Sequence, residues 1–285
     1  MMAPPIVIIG AARSGTKFLR DVLAVSPSAQ AVPYDVNYVW RYGFGHGVDD
    51  DLNPADLTPA QRRFIPKTLY KLAKITPGSD IHMIEKSVSN GLRIGYVDAI
   101  LPDAHFVHLI RDGRDVTESA MRLWQAPPDW GALRTKLAGM PLANLGYVAW
   151  FGWNTVKGLF SKRQGGKVWG PRYPGIEADA ARLPLAEVCA RQWRICVETA
   201  RRDLAALPEN RVTEIRYEDL VSGPEALARL VARTGLDGAE TIEAARAANV
   251  RADTSGKWRA LPEDQCQAIL DVVGPVVRDL GYDDV

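Results

Sequence analysis

The chain has 285 residues, 47% of them hydrophobic, which is enough for a sizeable α/β core and excludes a disordered chain. Its 35 basic and 34 acidic residues nearly cancel, so no overall field favours nucleic acid or an anionic membrane, and any cationic site must be local. Three cysteines without a C-x-x-C pair are too few for a disulfide framework, and the chain starts without a basic secretory leader, so a cytoplasmic protein is predicted.

The chain opens with a predicted strand, loop and helix. The apolar run Ile6–Ile9 is typical of a buried parallel strand, and residues 16–25 carry apolar side chains at helical spacing. The loop between them, GAARSGTK at residues 10–17, directs backbone N–H groups and the positive end of a helix dipole at one point. This geometry predicts a site for phosphate or a similar anion.

The side chains of this loop suit an anion. Arg13 and Lys17 supply two cations, Ser14 and Thr16 supply hydroxyl donors, and Gly15 permits close approach of the backbone. The nucleotide-triphosphate loop G-x-x-x-x-G-K-[ST] has Lys directly after its second Gly, whereas here Thr16 precedes Lys17 and the magnesium-binding hydroxyl is missing. An ordinary NTPase is therefore disfavoured, and a tight turn without a ligand is the alternative.

More strands follow along the chain, with helices between most of them. They are predicted at residues 31–34, His82–Glu85, His105–Ile110 and 211–215. Strands separated by helices indicate a parallel sheet, so the predicted fold class is α/β.

A second candidate anion site follows the strand His105–Ile110. Arg111 lies at the carboxyl end of that strand, where open parallel sheets bind their ligands. Asp115, with an acidic residue three positions later, predicts an N-cap and a helix over residues 116–124 that includes Ser119. An Arg and a hydroxyl at this place suit a second phosphate. A solvated Arg and Asp cluster without function is the alternative.

Residues 125–184 are rich in Gly, Pro and aromatic side chains and show no strand pattern. We interpret them as a helical, aromatic-rich insertion on the ligand side, lid-like rather than a second domain, so residues 1–285 form one predicted domain. The apolar segment 140–160 contains Asn, Lys and three interior glycines, which makes it a poor membrane span. Docking of a lipid-linked acceptor at that segment is the less favoured interpretation.

The two anion motifs together resemble the PAPS-dependent sulfotransferases. Residues 12–19 (ARSGTKFL) look like the family's 5′-phosphosulfate loop, and Arg111 and Ser119, with seven residues between them, match its 3′-phosphate motif. Residues 84–90 and 101–115 are similar to the carbohydrate and tyrosylprotein branch, including bacterial members. The resemblance implies a P-loop-NTPase-like central parallel sheet flanked by helices. It also implies sulfuryl transfer from PAPS (3′-phosphoadenosine-5′-phosphosulfate) to a hydroxyl or amine, giving adenosine 3′,5′-bisphosphate.

The resemblance also implies which residues bind the nucleotide. Tyr217, in the segment RYEDL, matches a strand-end residue near the adenine, and residues 255–259 (SGKWR) look like a C-terminal loop that closes over the nucleotide. Lys17 departs from the family pattern, which commonly has a second Thr there. The implied nucleotide-binding residues are Arg13, Ser14, Gly15, Thr16, Lys17, Phe18, Arg111, Ser119, Tyr217, Ser255, Gly256, Lys257 and Trp258.

Three residues are candidates for catalysis. The resemblance places Arg13 beside the bridging oxygen of the donor and Lys86 near the sulfuryl group or the acceptor. Asp35, after the predicted second strand, matches the position of the family's carboxylate base, although the family usually has Glu there. Its structural alternative is a helix N-cap, and that of Lys86 is an ion pair with a neighbouring carboxylate. His46, in a Gly-rich loop, is the alternative base.

The acceptor is not identified by the sequence, and the partners expected are a nucleotide donor and a small-molecule, carbohydrate, lipid-linked or peptide acceptor, without nucleic acid. No metal is expected, because His105 and His108 are three apart on a strand and no Cys or carboxylate cluster completes a site. Three other functions stay open. They are a P-loop small-molecule kinase, a non-catalytic adenosine-bisphosphate-binding protein, and a membrane-surface interaction protein that relies on the segment 140–160.

Overall fold

Five parallel strands form the centre of the fold. A computed structural model of the chain describes residues 3–45, 47–76, 78–126, 168–250 and 255–282. The strands are β1 Ile6–Ile9, β2 Ala29–Ala31, β3 His82–Glu85, β4 His105–Ile110 and β5 Val212–Arg216. Their order across the sheet is β2-β3-β1-β4-β5. The α/β prediction with a parallel central sheet is confirmed.

Helices connect the strands and cover both faces of the sheet. They are α1 Thr16–Leu23, α2 Asn37–Trp40, α3 Pro59–Leu72, α4 Ile94–Ile100, α5 Gly113–Gln125, α6 Ile176–Arg182, α7 Leu185–Leu204, α8 Tyr217–Ser222, α9 Glu225–Thr234, α10 Ala239–Asn249 and α11 Glu263–Asp279. Short 3₁₀ turns lie at Pro54–Asp56, Val88–Leu92, Glu209–Arg211 and Lys257–Ala260. None of the helices in the described ranges is long and apolar enough to cross a membrane.

Strand β1 is buried on both faces, which explains its uninterrupted apolar sequence. Ile6 and Ile8 pack with Leu19 of α1 on one face, whereas Val7 and Ile9 belong to a separate core on the other face. Each fully buried aliphatic side chain of this kind contributes about 1.5–3 kcal/mol. The strand that carries the first loop is therefore firmly held.

The crevice for a ligand is set by the connections of β1 and β4. These two strands are neighbours, with Ile6 opposite His105. The helix after β1 packs on one face of the sheet, while the helix after β4 packs on the other, with the core that contains Val116. The loops after β1 and β4 therefore diverge and leave a crevice between them, which is where open α/β sheets bind ligands.

Helix α5, which follows this crevice, approaches the long helix α7 very closely. A Cβ atom built on Gly113 would lie 2.6 Å from the Trp193 ring. The absence of a side chain at position 113 therefore allows the indole to pack against the first turn of α5, and this contact fixes the segment that carries Arg111 and Ser119.

Three elements were predicted with wrong bounds. Strand β5 is Val212–Arg216 instead of 211–215, a shift of one residue. Strand β2 is Ala29–Ala31 instead of 31–34, because its pairing with β3 starts at Ala29 opposite His82 and Pro33 has no N–H to extend it. Helix α5 begins at Gly113 instead of residue 116, with Asp112 as the N-cap, whose carboxylate accepts from the Arg114 N–H. Asp115 instead contacts the C-terminal part of the chain.

The aromatic insertion predicted at residues 125–184 falls largely on 127–167, which lie outside the described residues, together with the apolar segment 140–160. The described end of the predicted insertion, residues 168–184, contacts helix α7. The Gln192 amide donates to the Trp169 and Pro171 carbonyls at 2.9 and 2.8 Å. The single-domain organisation stays a prediction.

Candidate active site

The first loop is a tight turn with unusual backbone angles. Arg13 and Gly15 both adopt left-handed conformations, with φ of 79° and 91°. A Cβ atom on Gly10 would lie 2.7 Å from both the Leu109 carbonyl oxygen and the Thr16 methyl group, so the loop lies flat against β4. A left-handed non-glycine residue costs roughly 1–2 kcal/mol. The loop at Arg13 is thus strained.

Two sets of hydrogen-bond donors in this loop, the first N–H groups of α1 and the Ser14 hydroxyl, lack side-chain acceptors among the described residues. Helix α1 begins at Thr16 after Gly15, and no side chain in the described ranges caps its first N–H groups. Ser14 is fully buried, and its hydroxyl has no hydrogen-bond partner among the residues that the structure describes. A buried hydroxyl without a partner is unfavourable in a free protein, and an anionic ligand oxygen at the start of α1 fits both features.

The two anion motifs are in direct contact. Arg13 Nε donates to Ser119 Oγ at 3.0 Å, and Arg111 Nη1 donates to the Arg13 carbonyl at 3.3 Å. Burial and the neighbouring Arg111 guanidinium lower the pKa of Arg13. Residues from the ends of two adjacent strands thus converge on one cation-rich crevice.

Tyr217, the first residue of α8, lies over this crevice. Its ring is 4.5 Å from the Arg111 guanidinium and makes an edge contact with Phe18 at 6.5 Å between centroids. A Cβ atom on Gly15 would lie 2.4 Å from Tyr217 Cδ2. Gly15 is therefore required both for its backbone angle and for the close approach of the Tyr217 ring.

Lys17 lies apart from the other predicted anion-binding side chains. Its ammonium contacts Asp21 at 2.8 Å on the surface of α1, and its side chain is 77% exposed. The ammonium group is therefore on the solvent side of the helix. Only the backbone of Lys17, in the first turn of α1, is placed for the crevice.

The C-terminal loop meets the start of α5. The Gly256 N–H donates to Asp115 Oδ2 at 2.9 Å. The guanidinium groups of Arg114 and Arg259 lie 5.4 and 5.2 Å from the centre of the buried Trp258 ring. Ser255 and Lys257 are exposed beside it. The predicted closing loop thus lies next to the segment that carries Arg111.

Asp35 and Lys86 form a pair at the ends of β2 and β3. Lys86 Nζ lies 3.5 Å from Asp35 Oδ2, which also accepts from the Val88 N–H at 3.1 Å. Asp35 Oδ1 accepts from the Asn37 N–H at 3.2 Å, so the structural alternative, capping of α2, is present as well. The Asp35 side chain is 24% exposed and that of Lys86 12%, so both reach solvent.

Glu85, next to this pair, was not singled out from the sequence. Its carboxylate is fully buried and accepts from Trp40 Nε1, Ser87 Oγ and Asn90 Nδ2 at 3.1, 2.6 and 2.8 Å. Burial raises the pKa of Glu85 to about 7. A carboxylate at the end of a short apolar strand is the one feature of the sequence that could have drawn attention to it, although its partners could not be assigned.

Asp50 is a second buried acid that the sequence did not reveal. It accepts from Asn37 Nδ2, Ser89 Oγ and the Arg172 N–H at 3.0, 2.8 and 2.8 Å. These bonds tie α2, the turn after β3 and the returning end of the insertion together. Asp50 therefore supports the walls of the site.

His46, the alternative base, lies outside the described residues. Within the described part of the chain no group of three or more His, Cys, Asp or Glu side chains is placed to hold a metal ion. His105 contacts Thr213 Oγ1 at 2.8 Å and His108 contacts Glu214 at 3.1 Å, so the two histidines have separate partners on β5.

Comparison with known proteins agrees with this geometry. The sequence model of the Sulfotransferase family matches residues 4–151, just over half of the chain. A sulfotransferase from Alicyclobacillus acidocaldarius has a similar structure, with a TM-score of 0.55 and 16% identity over 100% of this chain and 98% of that one. The sulfotransferase domain of the Synechococcus PCC 7002 olefin synthase gives 0.51 and 19% over 100% and 98%.

A mouse sulfotransferase solved in complex with PAP (adenosine 3′,5′-bisphosphate) gives a TM-score of 0.50 and 13% identity over 98% of this chain and 86% of that one. No curated protein sequence matches the chain. The structural similarities confirm the P-loop-NTPase-like fold with its central parallel sheet. With the family model covering both anion motifs, the chain belongs to the sulfotransferase family, whose reaction is the transfer of a sulfuryl group.

Proposed function

We propose that the chain transfers a sulfuryl group from PAPS to a hydroxyl or amine of an acceptor and releases adenosine 3′,5′-bisphosphate. The observation that carries the proposal is the 3.0 Å contact between Arg13 and Ser119, which joins the anion site after β1 to the one after β4. One crevice with two adjoining anion sites suits a nucleotide that has phosphates at both ends of its ribose. The mouse sulfotransferase of similar fold binds a nucleotide of this kind.

The loop after β1 is proposed to hold the 5′ end of the donor. Among the residues that the structure describes, no side chain bonds to the Ser14 hydroxyl or caps the first N–H groups of α1, so an anion would have none of these to displace. The donor supplies the activated sulfuryl group when bound. Arg13 stabilises the negative charge that develops on the leaving phosphate, because a preorganised cation at that position favours the transition state over the ground state.

Arg111 and Ser119 are proposed to hold the 3′-phosphate. Arg111 is oriented by its bond to the Arg13 carbonyl and by the Tyr217 ring, and its planar guanidinium suits a phosphate. The loop with Trp258 lies at the start of α5 and is proposed to close this end of the crevice.

Asp35 is proposed as the base for the acceptor and Lys86 as the group beside the transferred sulfuryl oxygen atoms. The Asp35 carboxylate takes the proton of the acceptor O–H or N–H as the bond to sulfur forms. Lys86, 3.5 Å from that carboxylate, keeps a positive charge where the sulfuryl oxygens arrive. The carboxylate is held by two backbone N–H groups and so has a fixed orientation.

The chain is further proposed to be one sulfotransferase domain in which residues 125–184 form an acceptor-side insertion. Its returning end is anchored by Arg172, whose N–H bonds to Asp50 at 2.8 Å.

A cytoplasmic location is proposed from the thiols of Cys189 and Cys196, which are buried and unpaired and whose pKa is raised by burial to about 12.

Calorimetric titration separates this function from its rivals. We expect adenosine 3′,5′-bisphosphate to bind with a micromolar Kd and ATP with magnesium not to bind. The opposite preference would identify a small-molecule kinase. Binding of the bisphosphate without any transfer of ³⁵S from labelled PAPS to phenols, sugars, amines or water would identify a non-catalytic binding protein.

Replacement of Arg13 tests the role of the loop in turnover. Arg13→Ala is expected to lower kcat by about 10²–10³, the usual loss for one transition-state donor, while the protein stays folded. Arg63→Ala, an exposed residue of α3, is the matched control and is expected to keep wild-type rates. Wild-type turnover in Arg13→Ala would contradict the proposed mechanism.

A further inference from the structure

A buried carboxylate joins three segments behind the Asp35 and Lys86 pair. Glu85 is the last residue of β3, and its side chain is completely buried. One of its oxygens accepts from both Trp40 and Ser87, and the other accepts from Asn90. The donors belong to α2, to the residue before the 3₁₀ turn and to that turn itself. Glu85 thus bonds to the helix that follows Asp35 and to the turn that follows Lys86.

Ser87 carries the connection to Asp35. Its hydroxyl donates to Glu85 at 2.6 Å and accepts from the Val36 N–H at 3.2 Å. Val36 directly follows Asp35, and Ser87 directly follows Lys86. A single hydroxyl oriented by Glu85 therefore fixes the backbone next to both members of the pair.

The partners of Glu85 require both of its oxygens to accept hydrogen bonds. Asn90 Nδ2 donates to Glu85, while Asn90 Oδ1 accepts from Arg93 Nε at 2.9 Å. Arg93 in turn donates to Asn37 Oδ1 at 2.6 Å. A neutral amide at position 85 would place its NH₂ against either Asn90 Nδ2 or Trp40 Nε1, and both of these groups can only donate. Rotation of Asn90 would only move the conflict to Arg93.

We propose that Glu85 is a positioning residue for sulfuryl transfer, which holds Asp35 and Lys86 at the acceptor through Ser87 and Trp40. This inference rests on the proposed function of that pair. Glu85 itself does not touch the acceptor, because its side chain is completely buried. The charged groups that act on it electrostatically are Asp35 and Arg93, of which Asp35 disfavours its charge and Arg93 favours it.

Hydrogen exchange on the free protein tests the inference without an acceptor. We expect Glu85→Gln to speed amide exchange in residues 34–40 by about tenfold, the effect of losing one neutral hydrogen bond. Ser87→Ala, a smaller change that removes only the bridging hydroxyl, is expected to act on the same segment. Glu214→Gln on the edge strand β5 makes the same chemical change outside the site and is expected to leave this segment unaltered.

Turnover gives the second readout. With the acceptor that wild type uses fastest among phenols, sugars and amines, Glu85→Gln is expected to lower kcat about tenfold and to leave the Kd of adenosine 3′,5′-bisphosphate unchanged. The double variant with Ser87→Ala is expected to lose little more than either single variant, because both changes break one connection. Glu85→Asp, whose shorter side chain keeps the charge, is expected to recover part of the loss.

The outcomes separate the inference from the proposed function. Unchanged exchange in residues 34–40, or faster exchange spread equally over β1 and β4, would overturn the positioning role. Absence of adenosine 3′,5′-bisphosphate binding by the wild-type chain would instead overturn the proposed function, whatever the exchange data show.

Discussion

A methyl group at position 15 gives a direct test of the loop geometry. Gly15 has φ of 91°, and its Cβ would lie 2.4 and 2.6 Å from Cδ2 and Cε2 of Tyr217. The left-handed backbone costs an L-residue roughly 1–2 kcal/mol. Carbon atoms pack at about 3.5 Å, so the ring has to retreat by about 1 Å from Arg111 and Phe18, and such overpacking costs roughly 1–3 kcal/mol. Gly15→Ala is therefore expected to lower the free energy of unfolding by about 2–5 kcal/mol.

Gly175→Ala is the matched control for this experiment. Gly175 has almost the same φ, 90°, but a Cβ atom there would meet no atom within 4 Å. Only the same backbone cost remains, so the expected loss is roughly 1–2 kcal/mol. Urea denaturation with a common m value measures both variants. The difference between them isolates the contact with Tyr217.

Binding completes this test. Displacement of the loop in Gly15→Ala is expected to weaken the binding of adenosine 3′,5′-bisphosphate by at least tenfold. Gly175→Ala is expected to bind this nucleotide as wild type does. Removal of the ring in the double variant Gly15→Ala, Tyr217→Ala should recover the overpacking part of the lost stability. Equal losses in the two glycine variants, or wild-type affinity in Gly15→Ala, would refute the reasoning.

Two other variants test the charges of the site. Arg111→Lys is expected to weaken adenosine 3′,5′-bisphosphate by about 10–100-fold in calorimetry, because lysine cannot reproduce the planar fork over Tyr217, and an unchanged Kd would contradict this. Burial raises the pKa of Glu85 from 4.5 in the unfolded chain to about 7 in the folded protein. The preference of the fold for the neutral carboxyl therefore contributes its full stabilisation below pH 4.5, and this stabilisation is lost as the pH rises through 7. The stability of Glu85→Gln relative to wild type should therefore rise by up to about 3 kcal/mol between pH 4.5 and 8 in denaturant titrations, and a flat difference would show that the carboxyl titrates normally.

The parallel sheet was predictable because its inner strands are short apolar runs. Ile6–Ile9, His82–Glu85 and His105–Ile110 were placed with their observed bounds. Strand β2 was misplaced because only three residues form it and its register depends on β3, which lies more than fifty residues away in the sequence. Local patterns do not contain such information.

The anion site was predictable for a different reason. Each half is a contiguous segment after a strand, so Arg13 and Arg111 could be assigned to the same edge of the sheet before their contact was known. Glu85 and Asp50 could not be assigned, because their donors come from three or more separate segments. Residues that position others are visible only once the chain is packed.

Three unfavourable features meet in the first loop, and together they argue for a ligand. Arg13 adopts a left-handed conformation, its charge is partly desolvated next to Arg111, and the buried Ser14 hydroxyl has no partner among the described residues. A loop that only turned the chain would carry Gly at position 13 and an apolar side chain at position 14. A dianionic phosphate offsets the repulsion of the two guanidinium groups and accepts from the hydroxyl, so the strain observed in the free protein is what binding would relieve.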